Sequence, residues 1–128
     1  DGPSIRSYQE LVRKIVVAPH VSDYAVRMLL ATHPDQPAAP ESVRRFVRYG
    51  GSPRGVQAML LGAKIVAALD GRYNVGFDDL RSVAGPALRH RMLLNFEGEA
   101  EGKSTDAILK EIIDVVPEVA EDAGSLAS

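Results

Sequence analysis

The 128-residue sequence predicts an all-α fold, a small helical bundle of four main helices joined by short turns. Apolar residues recur at three- and four-residue spacing along four separate stretches. Proline, glycine and serine stand where those stretches begin and end. Strand-like sequence is confined to Arg72–Val75. The composition agrees: 45% hydrophobic and 25% charged residues, with few aromatics, is that of an ordinary globular domain leaning toward helix.

The first helix is expected over Ser4–Val17, with Ile5, Tyr8, Val12 and Ile15 on one face and Pro19 as its stop. A second, N-capped by Ser22, runs to about Thr32, with Val21 and Val26 set for a hydrophobic staple. The residue before Pro34 is pushed out of the α region, and three prolines make 34–42 a loop. A short helical turn is expected over Val43–Tyr49. Ser52-Pro53 then opens a third helix reaching Asp70, with Gly71 in the left-handed position after it. That helix is apolar nearly all round and belongs in the middle of the bundle. A fourth begins near Phe77, with Asp78 and Asp79 favouring its positive end, is kinked at Gly85-Pro86 and resumes to Leu94. Glu97–Lys103 reads as a polar loop, and a last helix spans Ser104–Val116 with Ile108, Ile112 and Val115 inward and Pro117 as its stop. Residues 1–117 therefore form one domain, and 118–128 a frayed acidic tail.

Several function classes are excluded or disfavoured. With no cysteine there is no disulfide framework and no thiolate metal site. His20, His33 and His90 lack ligand spacing, so no metal site is expected. Asp78-Asp79 is read as dipole-favoured first-turn acid rather than a catalytic pair, and Ser52 has no base beside it. Apolar runs are too short for a membrane span and no signal peptide opens the chain, which predicts a cytoplasmic protein. The chain begins at Asp1 rather than Met, as a fragment of a longer protein would. Residues 1–96 carry thirteen Lys and Arg against eight Asp and Glu, whereas 97–128 carry two against nine. A small helical nucleic-acid-binding or protein-interaction module is thus an alternative, though the acidic end and the apolar third helix make nucleic acid a poor partner.

The stretch Arg44–Gly55, RRFVRYGGSPRG, concentrates four arginines within eleven positions. Arg54 falls at the second position of a helix, beside unpaired N–H groups that favour an anion, and its planar fork can hold two phosphate oxygens. On spacing alone a plain loop followed by a solvated arginine is the better reading. Arg44 and Arg48 are four apart and would share a helical face, with Arg45 beside them, as a solvated basic face or a low-grade subunit interface. Arg89-His90-Arg91 would point in different directions on a helix and form no patch.

From RRFVRYGGSPRG through PALRHRMLLNFEGEAEG, and in the earlier VSDYAVRMLLATHP, the sequence closely resembles the C-terminal lid of MoxR-family AAA+ ATPases over roughly residues 5–117. The resemblance implies that Arg54 is the sensor-2 arginine, reaching across a nucleotide cleft toward the γ-phosphate, with Tyr49, Gly51, Ser52 and Pro53 bordering the nucleotide. It implies ATP and Mg²⁺ in a parent ATPase, neither bound by this piece alone. It also implies a core domain, neighbouring subunits in a ring, and a chaperone-like maturation role, often with a partner bearing a von Willebrand factor A domain. No GxxxxGK[ST] loop is present, so these residues can complete an ATPase site but cannot make one.

Overall fold

The computed structural model describes residues 9–119, and in them the expected helical bundle forms. Residues 9–14 are helical. There follow α1 (Pro19–Leu30), α2 (Glu41–Phe46), β1 (Val47–Tyr49), α3 (Pro53–Leu69), α4 (Phe77–Leu88), β2 (Leu93–Leu94), α5 (Phe96–Ala100) and α6 (Thr105–Val115). The expected positions Ile5 and Tyr8, and residues 120–128 of the expected tail, lie outside the described residues.

The core is centred on α3 and α4, which pack on each other most extensively; α1 lies against both and α6 against α4. Along α3 Gly55, Met59, Ala63 and Ala67, four residues apart, are buried together with Ala68, so a narrow ridge of mostly small side chains faces the neighbours. A methyl group added at Gly62 would stand 3.3 Å from Val83 Cβ of α4. Tyr24, Met28, Leu80, Leu88, Leu109 and Ile112 fill the space around this ridge. The helix takes the central place its composition predicted, but its apolar surface is not covered all round. Leu61 and Leu69 are 56% and 72% exposed, because small residues pack one side of the helix closely and leave the other in water.

Other boundaries differ for local reasons. The first helix stops by residue 14, since β-branched Val16 and Val17 precede a residue that Pro19 holds extended. Pro19 then opens α1 with Ala18 at the cap, so Ser22 caps nothing and no Val21–Val26 staple forms. Val16 makes an isolated parallel bridge with Asn74, the only extended pairing of the Arg72–Val75 segment. Val43–Tyr49 is split between α2 and β1, and β1 pairs antiparallel with β2 through Val47↔Leu94 and Tyr49↔Leu93. Pro86 lies within the last turn of α4, which runs on uninterrupted to Leu88 and does not resume to Leu94. Glu97–Lys103 is not a loop throughout: Asn95 Oδ1 accepts from Gly98 N at 2.8 Å and caps α5. Ser104, expected as the first residue of this helix, instead caps α6, while Val115 is 53% exposed and Leu109 takes the inward place. Gly71 adopts φ +72, the left-handed end of α3 that only glycine reaches freely.

Two ion-pair sets close the bundle. Asp79 is buried and accepts both ends of the Arg72 guanidinium, at 2.7 and 2.8 Å, and the Gly76 N–H at 2.8 Å. Arg72 therefore holds the Asp79 carboxyl below its usual range, against the opposing effect of burial. Because the folded-state value is depressed, this stabilisation is complete above the ordinary Asp value of 3.8 and is lost as pH falls below it. Asp79→Asn should lower Tm by about 5 °C at pH 7 and flatten its dependence on acid, read by circular dichroism from pH 7 to 3. An unchanged acid dependence would remove Asp79 from that role. At the far end, Arg27 donates to the Pro117 and Glu118 carbonyls, and Arg81 pairs with the Glu118 carboxylate.

Candidate functional site

The loop Tyr49–Pro53 joins β1 to α3, and its path is dictated by the end of α1. Thr32 is fully buried; its hydroxyl donates to Leu29 O at 2.6 Å and accepts from Gly51 N at 2.9 Å. His33 Nε2 donates to Gly51 O at 2.7 Å. Gly51 thus has both backbone groups held by one dipeptide from another element. Gly50 runs so close that a Cβ there would stand 2.5 Å from Thr32 O. The glycines serve close approach to α1, and neither takes a positive φ.

From this clamped loop α3 begins as the sequence predicted, with Ser52 at the cap and Pro53 at the first position. The Ser52 side chain caps no backbone N–H. Arg54 is exposed and makes no ion pair or side-chain hydrogen bond with the described residues. Its next residue, Gly55, is buried, and a Cβ there would stand 2.7 Å from Leu88 Cδ2. The backbone beneath Arg54 is therefore pressed onto α4 while its guanidinium projects outward. Tyr49 is 56% exposed, with the Arg48 guanidinium 5.1 Å from its ring centroid. Tyr49, Gly51, Ser52, Pro53 and Arg54 are thus brought together at one end of α3.

The remaining arginines do not share that end as a single face. Arg44 and Arg48 were expected four apart on a helix, but α2 stops at Phe46 and Arg48 lies on β1. Arg44 donates to Ala39 O at 3.0 Å and Pro37 O at 3.0 Å, tying down the proline-rich loop. Arg45 pairs with Glu97 of α5 at 3.1 Å and with Glu101, just past the end of α5, at 3.7 Å. Two of the three guanidinium groups are thus spent within the bundle. Thr32 and His33, which hold the loop in place, were missed as site residues; the Thr-His-Pro end of α1 gives no sign of its tertiary partner.

No group of three or more His, Asp or Glu among the described residues could hold a metal ion. The exposed Arg54 guanidinium, without a partner among the described residues, is of the chemistry that holds an anion such as a phosphate. Among the described residues no helix is long and apolar enough to cross a membrane.

Residues 40–112 match the AAA lid domain family. The chain is 28% identical over 108 residues to chaperone MoxR1 of Mycobacterium tuberculosis, covering 84% of this chain and 29% of that protein. It is 41% identical over 51 residues to protein MoxR of Paracoccus denitrificans, covering 40% of this chain and 15% of that protein. A crystal structure of a Cytophaga hutchinsonii protein described as an ATPase superposes with a TM-score of 0.80 at 30% identity, over 84% of this chain and 33% of that one. The chain thus spans a third or less of the length of each of these relatives.

Proposed function

This chain belongs to the AAA lid domain family, with MoxR proteins among its relatives, and on that premise we propose that it closes over ATP held by a separate nucleotide-binding core. Arg54 is the sensor-2 residue of that closed state. The observation that carries the reading is an exposed guanidinium, without a partner among the described residues, on the first turn of a helix whose approach loop is clamped at Gly51. Negative charge on the transferred phosphoryl oxygens is stabilised by positive groups fixed in advance, and an arginine fork supplies two donors at once. Since Arg54 rides on the lid, its contact forms when the cleft shuts and is lost when it opens, coupling turnover to lid position.

The partners that follow are the core domain and neighbouring subunits of a ring, in a chaperone-like remodelling ATPase working in the cytoplasm. A client or co-factor with a von Willebrand factor A domain rests on the MoxR resemblance alone. Amide hydrogen exchange on the core-bearing protein tests the reading. A non-hydrolysable ATP analogue should slow exchange about tenfold at Gly51–Gly55, with α6 unchanged. Equal exchange with and without nucleotide would overturn it.

A further inference from the structure

Besides Arg48, whose guanidinium lies over the Tyr49 ring, two guanidinium groups are left unspent at this end of α3. Arg45, Arg72, Arg81 and Arg89 each face a carboxylate, and Arg27 and Arg44 donate to main-chain carbonyls. Among the described residues Arg54 has no partner, and Arg91 has only Ala87 O, which accepts from its Nε at 2.8 Å. That one bond uses only Nε, and neither Nη group has a partner among the described residues.

The two stems converge. Helix α4 ends at Leu88, so residues 89–91 form a turn rather than the helical run that would have scattered their side chains. His90 and Arg91 then line one wall of a groove, whose other wall is Ala58 and Gly62 of α3. Arg54, Ala58 and Gly62 follow each other at four-residue spacing and share a side of α3. Arg91 Cδ lies 3.7 Å from where a Cβ on Gly55 would stand, so its stem packs against the first turn of α3, which also carries Arg54. Helical side chains lean toward the N-terminus, which carries Arg54 out over the same mouth. No ion pair from the described residues neutralises either group, and a ligand with several negative charges relieves their mutual repulsion.

We propose that Arg91 is a second phosphate-binding residue, gripping with Arg54 adjacent oxygens of a polyphosphate chain. The proposal rests on the nucleotide reading of Arg54 and adds to it a two-point hold: Arg54 from α3 and Arg91 from the turn after α4. A polyphosphate would thereby tie together the two helices that form the centre of the bundle.

The test is a titration of this chain with inorganic tripolyphosphate at low ionic strength, followed by amide NMR shifts at Arg54, Gly55 and Arg91. Arg91→Ala should weaken binding about tenfold, and Arg91→Lys, which keeps the charge but not the fork, by less. The lysine variant also supplies the answer if the alanine variant fails to fold. A role confined to bonding Ala87 would lower Tm without changing the tripolyphosphate affinity of the folded protein. Unchanged affinity in both Arg91 variants, with Arg54→Ala weakened, overturns this inference and leaves the nucleotide reading standing. Unchanged affinity in the Arg54 and Arg91 variants alike also overturns this inference, whereas the nucleotide reading stands or falls on turnover of the core-bearing protein.

Discussion

Arg54→Ala in the core-bearing protein is expected to lower kcat for ATP by about 100- to 1000-fold, the loss typical of removing one fixed donor from a developing charge. KM should change far less, because the contact belongs to the closed state rather than to nucleotide capture. The Tm of the lid should stay within about 2 °C, since an exposed arginine without partners contributes little to folding. Arg54→Lys should fall between, retaining the charge and losing the bidentate fork. Steady-state turnover with melting on the same samples decides it. A lid that melts normally while turnover stays near that of the wild type would end the sensor-2 assignment.

Gly50→Ala should be the most damaging small substitution in the bundle. Its new methyl would meet Thr32 backbone atoms at 2.5 and 2.7 Å, which cannot swing aside as a side-chain tip can. Either the loop lifts, breaking the Gly51 bonds to Thr32 and His33, or the end of α1 yields. A cost of about 2–3 kcal/mol follows, or roughly 10 °C in Tm for a domain of this size. Gly102→Ala is the control: it is strained by φ +68 but meets nothing within 4 Å, and should cost about 1 kcal/mol. In the core-bearing protein Gly50→Ala should also depress turnover below the wild type with Arg54 intact, because the start of α3 would no longer be held in register. Equal melting temperatures for the two variants would show that the loop does not run against α1.

The contrast between these residues explains what could be read from the chain alone. Helix starts at Pro53 and Thr105, the left-handed Gly71 and the buried row Ile108–Ile112 follow from local chemistry, and the structure keeps them. The β1–β2 ladder joins residues more than forty positions apart through very short strands, so no local period announces it. The same holds for Thr32 and His33, whose partner is Gly51, and for Arg72, whose fork closes on Asp79 across a turn. Asp79 looked like one of two dipole-favoured acids, and its burial separates it from Asp78. Arg54 was legible because its position depends only on where α3 begins. The grouping of Arg44 with Arg48 failed because one strand residue changes which way every later side chain points.

The closeness of α3 to its neighbours has a consequence for how such a lid can work. With Gly55 against Leu88 and Gly62 against Val83, there is no slack in which one helix could slide past another. Arg54 is therefore the tip of a solid lever. On the proposed reading its stroke would be measured out by whatever pivot joins this body to a core, and an alteration at that pivot should change the rate of turnover without disturbing the bundle.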